Sequence, residues 1–251
     1  MPKVTMVIPT YNEAENLPRL IDSLLHLPVD HLEVLVVDDN SPDGTGQLAD
    51  HLARQFPRQV GVIHRKGKSG FGSACIAGFK RAIAANADYI GQMDADFSHQ
   101  PAYIPQLVTA LEHNDVAIAS RYVQGGSVDK SWSGFRRVLS WFANSVYVRT
   151  ILNIPVHDAT SGFRLWRRQT LIGLDLDRAG SNGFVFQVET AYMASRLGYR
   201  IVEIPIHFPD RSQGKSKMDS RIQLEAAWRV WQLKRSHQVL TPQMRRTQVY
   251  S

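Results

Sequence analysis

The stretch "YIGQMDADFSHQP", Tyr89 to Pro101, runs up a short apolar segment and then sets two carboxylates, Asp94 and Asp96, one residue apart. Turns at strand ends favour Asp, Asn and Ser, so the pair by itself reads equally well as a turn or as a site. The surrounding chain decides between them. Apolar runs, most of them rich in Val and Ile, stand at 4–9, 33–38, 60–64, 89–94, 115–119 and 201–207. Between the first five lie segments of helical spacing at 13–26, 43–56, 71–86 and 101–113. Strands alternating with helices of this length predict βαβ units, hence an α/β fold with a mostly parallel sheet and helices on both faces.

In such sheets ligands bind outside the carboxyl ends of the strands. The polar clusters of this chain fall at those ends: "PTYNE" after the first strand, "DDNSPDG" after the second, "DADFSH" after the fourth and "SRYVQGG" after the fifth. Independent turns would not be expected to gather so much acid, amide and hydroxyl at one sheet edge. After about residue 125 the alternation stops. A Gly/Ser-rich bridge leads to an expected helix at 134–151, then "HDATSGFRLW", a helix near 185–197 and a last strand. The polar loop "PDRSQGKSKM" follows, then a helix at about 219–236 and a tail, "TPQMRRTQVYS", that reads as loosely ordered. The expected division is a catalytic-type domain over 1–218 and a C-terminal amphipathic helix and tail over 219–251.

The chain has 251 residues, 43% hydrophobic and 21% charged, which is ordinary globular material long enough for one sizeable domain. No apolar run approaches the roughly 18 residues of a membrane span. The first residues enter a strand pattern at once, so no signal peptide is expected. A single cysteine, Cys75, excludes an intramolecular disulfide and suits a reducing cytoplasm. The net charge of +6 suits an anionic partner (a membrane surface, nucleic acid or a phosphorylated substrate) without choosing among them. His26, His31, His51, His113 and Cys75 show no metal-ligand spacing and read as structural.

Two short motifs mislead. "GTGQLA", Gly44 to Ala49, fits the glycine pattern of a dinucleotide-binding turn, but there the first glycine closes the strand directly. Here Asn40 to Asp43 intervene, and "SPDGT" reads as a turn with Asp43 as a candidate helix cap. "GKS" at Gly67–Ser69 lacks a glycine at the spacing a phosphate loop needs, because Gly61 is one residue too far away.

The acids carry more. Mg2+ and Mn2+ take oxygen ligands and commonly bind through one or two carboxylates plus substrate phosphates. In an extended segment residues i and i+2 point the same way, so Asp94 and Asp96 can address one site. Of Asp38 and Asp39, neighbours on a strand, one is expected to enter it. Glu13 adds an acceptor and Tyr11 a ring that can lie against a base. A base and ribose pocket, a metal for a diphosphate and acceptors for sugar hydroxyls are the parts that nucleotide-sugar chemistry needs.

"VIPTYNEAENL", "VLVVDDNSPDGT", "HRKGKSGFGSACIAGFKRA", "QMDADFSHQP", "ASRYVQGG", "DATSGFRL" and "FQVE", in this order and spacing, resemble inverting family-2 glycosyltransferases of the GT-A fold. Among these they are most similar to the dolichol-phosphate (polyprenol-phosphate) mannose synthases, over residues 3 to about 218. The resemblance implies that Pro9, Tyr11, Glu13, Val37 and Asp39 bind the nucleoside of GDP-mannose. It places Asp94, Ala95 and Asp96 along the diphosphate and sugar, and Arg121 near the donor. It makes Arg211 and Lys217 the basic pair of a loop closing over the phosphates, with Gly214 allowing it to fold. The metal, Mg2+ or Mn2+, would be held by Asp94, Asp96 and the residue two beyond. That residue is often Gln in the family and is Ser98 here, a shorter and weaker neutral ligand for which water can substitute.

Mannose would then pass to a polyprenyl phosphate, whose ionised oxygen attacks without a general base. The partners implied are GDP-mannose, the lipid acceptor and the inner membrane face, touched peripherally from the cytoplasm, with no nucleic acid. Helices 134–151 and 219–236 carry Trp141, Phe142, Trp228 and Trp231 among arginines and lysines; such stripes suit a lipid interface or an ordinary core. Three other readings stay open: a UDP-glucose-dependent polyprenyl-phosphate glucosyltransferase, an NADP-binding reductase, and a non-catalytic nucleotide-sugar-binding module.

Overall fold

The structure is a computed structural model and describes residues 1–209 and 220–250. The first half alternates β1 (Val4–Thr10), α1 (Leu17–Leu25), β2 (Leu32–Asp38), α2 (Thr45–Gln55), β3 (Val60–His64), α3 (Phe71–Ala84), β4 (Tyr89–Gln92), α4 (Ile104–Ala110) and β5 (Val116–Ser120). These are the strands and helices that the hydrophobic periodicity predicts. α1 buries Leu17, Leu20, Ile21 and Leu24, one stripe at helical spacing. On β1, Val7 joins one core with α3, while Met6 and Ile8 join a second core with α1 and α2. A strand covered on both faces reads as a continuous apolar run, and β1 and β2 do.

The chain continues with β6 (Ser127–Val128), α5 (Gly134–Trp141), a π-helical segment (Phe142–Val148) and α6 (Arg149–Leu152). Then come β7 (Arg164–Arg167), α7 (Arg168–Leu174), α8 (Phe184–Arg196), β8 (Ile201–Pro205), β9 (His207–Phe208) and α9 (Ser220–His237). The seven-stranded sheet runs β3-β2-β1-β4-β7-β5-β8, and β6 with β9 forms a separate parallel pair. β7 is antiparallel to both β4 and β5, and the other neighbours are parallel. The periodicity did not predict β7. It is four residues long, two of them arginines, and its place is set by Tyr89↔Arg167 and Val116↔Trp166 pairing with strands far away in sequence.

The tail is docked, contrary to the expectation of loose order. Arg245 lies over the Tyr199 ring at 4.1 Å, Arg246 pairs with Asp175 at 2.9 Å, and the Tyr250 hydroxyl accepts from Leu176 N. Aromatic and guanidinium side chains hold this segment, where its composition suggested only a polar end. α9 sits on the same core through Val230 and Leu233, and His237 bonds Glu189 at 2.8 Å.

Candidate active site

β1 is the pivot. The chain passes from β1 to β2 on one side, and β4 then returns to the other side of β1. This is the topological switch point, where a crevice opens at the carboxyl ends of the strands. Pro9 pairs with Val37 in register, so β1 and β2 deliver Tyr11 and Asp39 together. Val7 pairs with Gln92, so Asp94 to Ser98 emerge on the other side of β1.

The β1–β2 side of the crevice is built by hydrogen bonds between two loops. Asp38 is buried and accepts from Ser41 N at 3.1 Å, Ser41 Oγ at 2.6 Å and Thr10 Oγ1 at 3.2 Å. It is the turn-forming member of the pair. Ser41 Oγ in turn accepts from Asn12 N, and Asn12 and Asn40 both hold positive φ. Asp43 accepts from Thr45 N and Oγ1 and from Ala14 N, opening α2 behind Gly44. Burial pushes the Asp43 carboxyl up, but these hydrogen bonds outweigh it and leave the pKa below the ordinary value. The glycine motif at Gly44 is therefore part of a turn, as its spacing indicated, but the N-cap of α2 is Gly44 itself and not Asp43, whose carboxylate braces the turn before it.

Asp39 pairs with Arg65 at 2.6 Å, and Arg65 also donates to Ser73 Oγ at 2.8 Å. Lys68 Nζ sits 4.1 Å from the centre of the Tyr11 ring. Glu13 accepts from Asn16 Nδ2 at 3.0 Å. The Val37 side chain is fully buried in the core with α3, so only its backbone can meet a ligand.

The acidic side is a turn and not an extended segment. β4 ends at Gln92, and Phe97 has a φ of 60°. Strand alternation therefore does not govern where Asp94 and Asp96 point. Asp96 is buried and its Oδ1 accepts from Ser98 N at 3.1 Å and Ser98 Oγ at 2.5 Å. Ser98 thus holds Asp96 in place. Asp94 N donates to His99 Nδ1 at 3.0 Å, which leaves the His99 proton on Nε2. Burial lowers the His99 pKa against the pull of Asp94 and Asp96. Among the described residues no three His, Cys, Asp or Glu side chains cluster to hold a metal by themselves. The two carboxylates fit a hard cation that completes its shell with substrate oxygens and water.

Arg121, at the end of β5, is clamped by Asp158. Its Nε and Nη2 donate to the two carboxylate oxygens at 2.8 and 2.7 Å, and Nη2 also reaches Thr160 Oγ1 at 2.9 Å. Burial works against both charges, yet each stabilises the other. The Arg121 pKa is raised and the Asp158 pKa lowered. Asp158 N and His157 N are bound by Glu203 of β8, which anchors the whole "DATSG" turn. Below it Arg164 is fully buried and donates to the carbonyls of Ala159, Ser161 and Gln187. Burial pulls its pKa down to about 9. Arg211 and Lys217 lie outside the described residues. Arg65, Lys68, Asp158 and Gln187 joined the site only through the fold. Their motifs were visible, but their partners lie tens of residues away.

The family model for glycosyl transferase family 2 matches residues 5–174. The chain belongs to glycosyl transferase family 2. It is 43% identical over 229 residues to a polyprenol monophosphomannose synthase of Mycolicibacterium smegmatis, covering 91% of this chain and 85% of that protein. It is 45% identical over 228 residues to an undecaprenyl-phosphate mannosyltransferase of Micrococcus luteus, covering 91% and 92%. Among solved structures, glucosyl-3-phosphoglycerate synthase from Mycobacterium tuberculosis, in complex with Mn2+, UDP and glucosyl-3-phosphoglycerate, superposes with a TM-score of 0.65 at 20% identity. That match covers 95% of this chain and 81% of the other, and it shows the shared GT-A-type fold.

Proposed function

We propose that this protein transfers mannose from GDP-mannose to a polyprenyl phosphate with inversion, giving the β-mannosyl phosphate lipid. The observation that carries this reading is 43–45% identity, along nine-tenths of the chain, to proteins named for joining mannose to a polyprenyl phosphate. The crevice agrees with it. Pro9, Tyr11, Glu13, the Val37 backbone and Asp39 receive the nucleoside; Asp94, Ala95 and Asp96 face the diphosphate and sugar. Asp94 and Asp96 would hold Mg2+ or Mn2+; Ser98, whose proton is already given to Asp96, offers at most a weak neutral oxygen, which water can replace. When bound, the ion would offset charge developing on the leaving diphosphate. The acceptor phosphate is already an anion, so no residue has to remove a proton, and the protein's work is alignment and charge stabilisation.

An assay of GDP-mannose, UDP-glucose and other sugar nucleotides with a short polyprenyl phosphate tests the reading. Turnover confined to GDP-mannose is expected. Turnover of UDP-glucose alone would replace mannose by glucose, and stabilisation by NADP without GDP binding would remove the transferase reading. We assign Arg211 and Lys217 to the phosphates in the closed state. Charge-assisted contacts of this kind are worth about 1.5–3 kcal/mol each. Arg211→Ala and Lys217→Ala should therefore each slow transfer roughly tenfold to a hundredfold, with GDP affinity nearly unchanged. Steady-state kinetics in detergent measures this without a contribution from membrane adsorption.

Among the described residues no helix is long and apolar enough to cross a membrane. α5, the start of the π-helical segment after it, and α9 nevertheless present apolar side chains to solvent: Phe135 is 78% and Trp228 61% exposed, with Val138, Trp141, Phe142 and Trp231 also outward. Arg136 and Arg137 of α5, Arg149 of α6 and Arg235 of α9 are exposed as well. We assign these faces, with residues 219–251 as the C-terminal element, to peripheral contact with an anionic membrane at its inner face. Replacing Phe135 and Trp228 together by Ser should reduce co-sedimentation with phosphatidylglycerol vesicles at least fivefold. Turnover of a short acceptor in detergent should stay within twofold.

A further inference from the structure

Gln187 lies in the first turn of α8 behind the acidic turn and is 2% exposed. Its Oε1 accepts a 2.7 Å hydrogen bond from Gln92 Nε2, which also donates to the Gly162 carbonyl at 3.1 Å. The second bond orients both amides. Gln92 must turn its nitrogen to the carbonyl, so Gln187 must turn its oxygen to Gln92. Gln187 Nε2 is left with no hydrogen-bond partner among the described residues. Gln92 Oε1 is likewise without a partner among the described residues. Buried amide atoms are rarely left so, and a bound water, ion or ligand group is the usual explanation.

That nitrogen borders Gly162. A Cβ built on Gly162 would stand 3.7 Å from Gln187 Nε2, 3.6 Å from Asp94 Oδ1 and 3.3 Å from His99 Cε1. Gly162 is not among the residues with positive φ, so the missing side chain serves to leave space and not to permit a turn. The notch therefore has an N–H donor on one side and a carboxylate oxygen on the other, and a carboxylate can accept several hydrogen bonds at once. A group that fits both must accept from Gln187 and donate to Asp94. A phosphate oxygen cannot donate and is repelled by Asp94. A cation suits Asp94 but not an N–H. A hydroxyl does both, either that of a water or that of a bound sugar which displaces it.

We propose that the Gly162 notch is a subsite for one hydroxyl of the transferred sugar, with Gln187 donating to its oxygen and Asp94 accepting its proton. This rests on the reading that Asp94 faces the donor sugar, and it gives the "FQVE" motif a recognition role. The notch makes sugar identity a matter of one paired hydroxyl, since a sugar lacking it leaves two buried polar groups unmatched.

Gln187→Glu keeps the oxygen that Gln92 binds and replaces only the N–H donor, while Gln187→Leu removes both. The full-length protein and both variants are compared in transfer to a short polyprenyl phosphate, using GDP-mannose and its monodeoxy analogues, with GDP affinity from calorimetry. GDP binding, which also reports a folded site, should stay within twofold. The kcat/KM for GDP-mannose should fall roughly tenfold to a hundredfold in both variants. For one monodeoxy analogue the wild type should already show that loss, and the Gln187 variants should add no more than about twofold. An equal loss with every analogue, or no loss with GDP-mannose, overturns the subsite. If the wild type uses another sugar nucleotide, the mannose reading fails on that result alone. The same cycle with that donor and its deoxy forms then decides the role of Gln187.

Discussion

Asp96→Asn should lower transfer on the order of a thousandfold while leaving the protein folded. The two halves of this expectation have separate physical grounds. An amide cannot neutralise a divalent ion as a carboxylate does, and charge stabilisation of several kcal/mol in a transition state corresponds to that factor. The fold is spared because Asn Oδ1 can still accept from Ser98 N and Oγ, the bonds that Asp96 now receives at 3.1 and 2.5 Å. Asp96→Ala should be equally inactive but somewhat less stable, since both donors of the buried Ser98 would lose their acceptor. Ser98→Ala should cost about tenfold or less, through looser placement of Asp96. Kinetics with and without chelator, beside thermal unfolding, measures all three. Full turnover in chelator, or in Asp96→Asn, would return the two acids to the bland reading of strand-end turn residues.

That bland reading and the functional one are both visible in "MDADFSHQP", and the first five strands show why the fold around it is legible. Their apolar runs are long enough to show a period, and each ends in polar residues that topology must place at one edge. Local signals of this kind also marked the turn at Asp43, whose partner Thr45 is two residues away, although the N-cap position itself falls on Gly44. What stayed hidden depends on distant partners. β7 contains the fully buried Arg164, which a hydropathy pattern counts as surface; only the carbonyls of Ala159, Ser161 and Gln187 explain it. β4 stops at Gln92, short of the apolar run that extends to Asp94, so strand alternation does not reach Asp94 and Asp96. Arg65 with Asp39, and Gln92 with Gln187, are pairs that no local spacing rule brings together. The docking of the tail is hidden for the same reason. Its ring and guanidinium contacts, Tyr250 to Leu176 and Arg246 to Asp175, exist only once α7 has folded.

Breaking the Arg121–Asp158 pair should be the most damaging structural change near the site. Asp158 is fully buried and its two oxygens take the Arg121 Nε, Nη2 and backbone N–H. Removing one partner of a buried pair leaves an uncompensated charge and typically costs about 3–5 kcal/mol. Asp158→Ala should therefore lower the melting temperature by roughly 6–20 °C for a chain of this size. The sign with pH follows from the depressed Asp158 pKa. The stabilisation is fully present above the unfolded carboxylate value of about 4, and it fades as the pH falls through the lower folded value. The difference in stability between wild type and Asp158→Ala should thus be constant from pH 6 to 8 and shrink only in acid. Pairing Arg121→Met with Asp158→Leu should recover much of the stability, because neither charge is then stranded. Transfer should stay low in that double variant if Arg121 serves the donor as well as the fold. Denaturant unfolding and donor kinetics on the three proteins separate the two roles. Recovery of both stability and turnover would show that Arg121 is a buried strut with no part in handling GDP-mannose.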